Sequence, residues 1–129
     1  MNYRAQAYQQ SHLMTASRGD VLLAMYDGAL RFVGKARQAI AQRDFAAKAE
    51  AVSRATAIVE ELSAVLDHKA SPALCGHLAS LYGYFLRQIH RASSELNEDY
   101  LVEVEGHLNG LRGTWQQAVQ KARQEGLRV

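Results

Sequence analysis

The stretch from residue 17 to residue 40, SRGDVLLAMYDGALRFVGKARQAI, decides the fold class. Its apolar side chains recur every three or four residues, which is the spacing of one face of an α-helix. This face consists of Leu22, Met25, Ala29, Phe32 or Val33, Ala36 and Ile40. Ser17 is a preferred N-cap residue, and Asp20 follows it at the position of a loose capping box. We therefore predict a first helix over residues 18–41.

Three further helices follow by the same criteria. Asp44 is a preferred N-cap residue, and an apolar stripe behind it predicts a helix over residues 45–68. This stripe contains Phe45, Ala49, Val52, Thr56, Val59, Ser63 and Leu66. Ser71-Pro72 begins a third helix, which runs to residue 94, because proline at the first helical position loses no needed hydrogen bond. Asn97 caps a fourth helix, and Gly126 ends it.

The last two helices carry equally regular apolar stripes. The third helix has Leu74, Leu78, Leu81 or Tyr82, Phe85, Ile89 and Ala92. The fourth has Leu101, Val104, Leu108, Leu111, Trp115, Ala118 or Val119 and Ala122. No segment alternates like a strand, and the short connections force neighbouring helices to run antiparallel. The sequence therefore predicts an all-α fold, an antiparallel up-down four-helix bundle over residues 17–129, preceded by a short N-terminal arm over residues 1–16.

The composition is typical of a single cytoplasmic domain. With 129 residues, 48% of them apolar, and one proline, the chain is long and apolar enough to fold around one core. The formal net charge of +2 comes from scattered side chains, so there is no basic block for nucleic acid. The lone Cys75 suits a reducing compartment. The chain starts without a signal-peptide core, and its longest apolar run, residues 21–26, is too short to span a bilayer.

The sequence offers no catalytic, cofactor-binding or metal-binding constellation, so we expect a protein that is not an enzyme. No glutamate has a histidine three residues later, as a di-iron bundle requires. The five histidines are dispersed, and Cys75-Gly76-His77 supplies too few ligands for zinc. Phosphate-binding loops and nucleophile elbows are also absent from the sequence.

Two helices carry more apolar side chains than one core face needs. The second helix has another run at helical spacing, which we place more than about 90° from its core stripe at 100° per residue. This second stripe consists of Ala51, Ala55, Ile58, Leu62 and Val65. The first helix has a flanking line of Leu23, Tyr26 and Leu30. These residues either broaden the core faces or form an external apolar groove that accepts helices of a partner.

Two motifs in the sequence resemble those of a known family. The first is Ala7-Tyr8, then Thr15-Ala16-Ser17 and Gly19, then Met25-Tyr26-Asp27-Gly28 and Phe32. The second is Leu111-Arg112-Gly113-Thr114-Trp115. In this order and spacing the chain resembles FliS, the flagellar export chaperone family. It departs from that pattern at Arg18, where the family usually has proline, and at Asp20, where it usually has glutamate.

The resemblance implies a function and a set of partners. It implies that the chain binds the disordered C-terminal segment of flagellin in the cytoplasm, prevents premature polymerisation, and delivers flagellin to a component of the type III export gate. The surplus apolar residues then become candidate client-binding residues, together with the tyrosine of the arm. They are Tyr8, Leu23, Tyr26, Leu30, Ala55, Ile58, Leu62 and Val65. We also predict that Tyr8 docks near Tyr26 and Leu30 when no client is bound.

Two other functions remain open at this point. A histidine phosphotransfer domain is also a four-helix bundle, and His107 is the nearest candidate for its phosphorylated histidine. However, Leu111 stands where that site needs a small residue, and the expected basic residue is missing. The third possibility is a structural helical domain that associates, as a weak homodimer, through its surplus apolar stripes.

Overall fold

The computed structural model describes residues 18–126, and these residues form four α-helices. The helices are α1 (Arg18–Ala41), α2 (Phe45–Ala64), α3 (Pro72–Glu95) and α4 (Asp99–Gln124). There is no strand within this part of the chain. The predicted all-α class is therefore confirmed. The predicted arm and the Ser17 cap lie outside the described residues.

The helices form a bundle in which each one packs against two neighbours. Helix α1 lies against α2 and α4, and α3 lies against the same two helices from the opposite corner. Connections of three residues, 42–44 and 96–98, join α1 to α2 and α3 to α4. Such short connections force the joined helices to run antiparallel. The up-down four-helix bundle predicted from the sequence is thus confirmed.

Side chains at the helix ends explain most of the boundaries. The Ala47 N–H donates to Asp44 Oδ1 at 3.1 Å, which confirms the predicted cap of α2. The predicted cap of α4 is one residue off: its N-cap is Glu98, which makes no side-chain cap hydrogen bond, while Asn97 Oδ1 accepts from the Asp99 N–H at 2.9 Å. Ser71 makes no side-chain cap hydrogen bond, so the start of α3 depends on proline at its first position.

Helix α2 is shorter than predicted. It ends at Ala64 rather than at residue 68, and the carboxylate of Asp67 explains the difference. Asp67 Oδ1 accepts from the N–H groups of Lys69 and Ala70, both at 3.2 Å. A side chain that bonds nearby backbone groups competes with helix continuation. Val65 and Leu66 consequently lie just beyond the helix.

A single core fills the bundle. Its largest fully buried side chains are Tyr26, Tyr82, Phe85, Leu62, Ile89, Leu101 and Leu108. At about 25 cal/mol per Å² of apolar surface, burial of these large side chains supplies most of the drive for helix association. Partly buried apolar residues, including Leu22, Ile58 and Trp115, pack against this core from its edge.

The predicted orientation of α2 is wrong in part. The second stripe, which we expected to be external, supplies the core through Ala51, Ala55 and Leu62. In the expected core stripe, Phe45 is 51% exposed and Ala49 is also exposed. Both stripes had helical spacing, so the period did not decide between them. The buried face of α2 lies between the two stripes, because Val59 of the expected core stripe is also fully buried, whereas Ile58 of the second stripe is half-buried and Val65 is exposed.

Several ion pairs link α1 to α4. Asp20 pairs with Arg123 at one end of the seam, and Arg37 pairs with Glu105 at 2.7 Å toward the other end. Arg37 also lies 3.5 Å from Glu98. The residue numbers rise on α1 as they fall on α4, which is the pattern of an antiparallel pair.

Candidate functional site

The two motifs that carry the resemblance meet in the structure. The described residues of the first motif, from Gly19 onward, lie on α1 and those of the second lie on α4, more than eighty residues apart in sequence. The indole N–H of Trp115 donates to the Tyr26 hydroxyl oxygen at 3.1 Å. One residue further along α1, the Asp27 carboxylate forms a two-pronged ion pair with the Arg112 guanidinium, whose Nη2 lies 3.3 Å from Oδ2. Tyr26 and Asp27 of the first motif therefore contact Trp115 and Arg112 of the second motif.

A third aromatic residue extends this contact across the core. The phenol oxygens of Tyr26 and Tyr82 lie 2.5 Å apart and share a buried hydrogen bond. Trp115, Tyr26 and Tyr82 thus form one polar chain through α4, α1 and α3. The chain satisfies hydroxyls that would otherwise be costly to bury. Tyr26, which we had placed on a flanking line of α1, is fully buried.

Burial also changes the acidity of the two phenols. Loss of hydration raises the pKa of Tyr82 above its usual range, and the hydrogen bond to Tyr26 raises it further. Burial raises the pKa of Tyr26 as well, but hydrogen bonds from Tyr82 and Trp115 oppose the increase. Both groups are therefore neutral near pH 7, and the polar chain is uncharged.

Gly28, the last residue of the first motif, allows α2 to lie close to α1. A Cβ atom at this position would stand only 3.1 Å from Cδ1 of Ile58, which is tighter than an ordinary carbon–carbon contact. The motif therefore has a packing role on two sides. Tyr26 and Asp27 bind α4, while Gly28 leaves room for Ile58 of α2.

One end of the bundle exposes apolar surface where α1 begins and α2 ends. An open pocket of about 440 Å³ lies between the first turns of α1 and the end of α2. Its lining is Arg18, Val21, Leu22, Met25 and Val65. Val21 is 52% exposed and Val65 is 58% exposed. Large apolar side chains this exposed, lying side by side, are typical of an interaction surface.

A second pocket of about 250 Å³ adjoins the first and shares Leu22 and Val65 with it. It extends over the connection between α2 and α3, where Leu66 and the half-exposed Leu74 line it. Tyr82 and Trp115 also line this pocket, so the polar chain lies directly beside it. We call the combined surface the apolar end. It consists of Val21, Leu22, Met25, Val65, Leu66 and Leu74.

The structure divides the predicted client-binding residues into three groups. Val65 is exposed and belongs to the apolar end. Leu23, Leu30 and Ile58 are half-buried. The buried ones are Tyr26, Ala55 and Leu62, which offer no surface on the bundle as folded. Tyr8, with its predicted docking near Tyr26 and Leu30, lies outside the described residues.

Most of the apolar end was missed from the sequence. Leu22, Met25, Leu66 and Leu74 were assigned to core stripes, and Val21 was assigned to no face. The sequence feature that could have indicated these residues is their position near predicted helix ends, not the helical spacing of the stripes. All of these residues lie within two turns of a helix end, where the neighbouring helix stops and leaves a stripe uncovered.

The described residues hold few groups for other chemistry. Between residues 18 and 126, no three histidine, cysteine or acidic side chains lie together as metal ligands would. None of the four helices combines the length and the apolar character that crossing a membrane requires. The exposed His107 ring packs 5.8 Å from the Phe85 ring, centroid to centroid.

Comparisons with known proteins identify the family of the chain. The family model described as flagellar protein FliS matches residues 1–122. The flagellar secretion chaperone FliS of Bacillus subtilis strain 168 is 34% identical over 119 residues, which is 92% of this chain and 88% of the relative. The chaperone of the same name from Salmonella typhimurium strain LT2 is 33% identical over the same shares. The one from Campylobacter jejuni is 31% identical over 90% of this chain and 91% of the relative.

A helical bundle that exposes apolar surface at one end is typical of helical proteins that bind a partner segment. The chain belongs to the FliS family of flagellar secretion chaperones. It is accordingly a chaperone of flagellar biogenesis and not an enzyme. Family membership also decides against the phosphotransfer function considered for His107.

Proposed function

We propose that this chaperone binds the disordered C-terminal region of flagellin in the cytoplasm and prevents flagellin from polymerising before export. The bound flagellin is then delivered to a component of the flagellar type III export gate. The names of the relatives support an export substrate as the partner. The residue-level observation that carries the proposal is the apolar end, which exposes Val21 and Val65 beside two connected pockets.

The physical basis of this function is that flagellin makes apolar contacts with the chaperone in place of apolar contacts with other flagellin molecules. A disordered segment that folds into helices on a chaperone loses conformational entropy, so it must bury an extended apolar surface in return. While bound, its apolar faces are unavailable to other flagellin molecules. The apolar end offers a starting contact for such a segment, and half-buried Leu23, Leu30 and Ile58 are candidates to extend it.

Calorimetric titration tests the proposal directly. The chaperone is titrated with full-length flagellin and with flagellin that lacks its C-terminal segment. We expect one-to-one binding to the full-length protein and none to the truncated one. A homodimer of the free chaperone remains a prediction, and sedimentation of the same samples checks it. Equal binding to the two flagellins would exclude the C-terminal region as the client.

A further inference from the structure

A second groove lies between α1 and α2, away from the apolar end. It has a volume of about 340 Å³, and its apolar lining is provided by Phe32, Ala39, Ala47 and Ala51. Lys35, Gln38 and Arg54 line the same groove. At 1.5 Å per residue, Phe32 is about 10 Å along α1 from Met25, and Arg54 is about 16 Å along α2 from Val65. The groove is therefore separate from the apolar end.

Positive charge is concentrated around the aromatic ring of this groove. The Phe32 ring lies 5.0 Å from the Arg31 guanidinium, 5.5 Å from the Lys35 ammonium and 5.8 Å from the Arg54 guanidinium. Three like charges near one ring repel one another, and the ring quadrupole offsets that repulsion only in part. An anionic partner would remove the remaining repulsion.

The nearby acidic residues supply little compensating charge. Glu50 pairs with Arg54 at 3.3 Å, and both side chains are well exposed. Among the ion pairs formed within residues 18–126, none involves Arg31 or Lys35. Arg31 lies beside the groove rather than in its lining, and with the charge of Glu50 set against Arg31, Lys35 and Arg54, the surface around the Phe32 ring has a net charge of +2.

We propose that the α1–α2 groove docks an acidic segment of a second polypeptide, with one apolar side chain against Phe32 and flanking carboxylates on Arg31 and Lys35. The alanines of the lining are small and leave room for that apolar side chain. The two cations stand on neighbouring turns of α1, four residues apart, so carboxylates spaced by one helical turn match them. Nucleic acid fits this surface less well, because it requires a longer basic stripe.

The proposal adds a docking surface to the function given above and does not depend on it. The apolar end and the groove lie at different levels of the bundle, so an export substrate and an acidic partner bind together. Loss of groove binding leaves flagellin binding unchanged, which keeps the two proposals separately testable.

Nuclear magnetic resonance titration of the full chain, labelled with nitrogen-15, tests the groove. The probe is a blocked peptide in which one phenylalanine is flanked on each side by two glutamates, and its analogue carries lysines instead. We expect saturable shifts of the amides of Phe32, Gln38 and Ala51 with the acidic peptide only. The shifts should weaken at high salt, because exposed charge pairs are screened.

Charge reversal identifies the residues responsible. The double variant Arg31→Glu with Lys35→Glu should bind the acidic peptide about tenfold more weakly, since two partly screened charge pairs become repulsive. Lys121→Glu makes the same kind of charge change on exposed α4 and should leave binding unchanged. The proposal is overturned by absent saturation, by an equal response to the lysine peptide or to single-stranded DNA, or by unchanged affinity in the double variant.

Discussion

Tyr26 joins three helices through a single phenol. It accepts from Trp115 at 3.1 Å and shares a hydrogen bond with Tyr82 at 2.5 Å. We expect Tyr26→Phe to lower the free energy of unfolding by about 2 kcal/mol, because it leaves buried Tyr82 and half-buried Trp115 without their hydrogen bonds to this phenol. Tyr82→Phe should cost about 1 kcal/mol, because Tyr26 keeps Trp115. Urea denaturation measures both, with Tyr100→Phe at an exposed hydrogen bond as the control.

The same two phenols make the fold sensitive to alkali. Burial raises the pKa of Tyr26 and Tyr82 above the value of 10.0 that an exposed phenol has. In the unfolded chain these groups lose their protons from about pH 10, while the folded protein still holds them. The contribution of the two phenols to the free energy of unfolding is therefore fully present below about pH 10, and it is lost as the pH rises through their pKa values in the folded protein. Replacing both tyrosines by phenylalanine should make the decrease of the free energy of unfolding above about pH 10 less steep. If the slope of that free energy against pH were unchanged, Tyr26 and Tyr82 would not be the groups responsible.

The helices themselves could be placed from the sequence, whereas the face that each one buries could be placed only in part. Asp44 and Pro72 act locally, so the starts of two helices follow from short-range chemistry, and Asn97 predicts the start of α4 to within one residue. The rotation of α2 is a tertiary property. It depends on how Ile58 fits beside Gly28, a contact between residues thirty positions apart that no local period records.

Glycines distinguish close helix contacts from open helix faces. A Cβ at Gly106 or Gly110 of α4 would meet no atom within 4 Å, whereas one at Gly28 would meet Ile58 at 3.1 Å. We expect Gly106→Ala and Gly110→Ala each to stabilise the fold by about 1 kcal/mol through helix propensity. Gly28→Ala should fall short of that gain by about 1 kcal/mol or more, because crowding opposes it. Thermal melting of the three variants compares them, and equal gains would show that α2 shifts freely.

At the scale of the whole molecule, the apolar end exists because α2 stops early. The Asp67 turn ends the helix, which leaves Val65 and Leu66 beside the first turns of α1. A periodic apolar stripe in the sequence predicts burial along the whole length of a helix, as if neighbouring helices covered all of it. It therefore predicts the uncovered ends poorly, and of the predicted residues that the structure describes, Val65 alone is both exposed and part of the apolar end.

Two substitutions separated by one helical turn distinguish core from client surface. Leu62 is fully buried, so Leu62→Asp should cost several kcal/mol, about the cost of an unpaired buried charge, and unfold much of the protein. Val65→Asp places the same charge on a side chain that is 58% exposed and should leave helicity and melting nearly unchanged. It should nevertheless weaken flagellin binding about tenfold, because the charge must be desolvated when an apolar helix covers it. Val102→Asp on α4, where valine is 44% exposed, is the matched control and should bind normally. Circular dichroism and calorimetry decide the matter: a folded Val65→Asp variant with full affinity would remove the apolar end from the client interface.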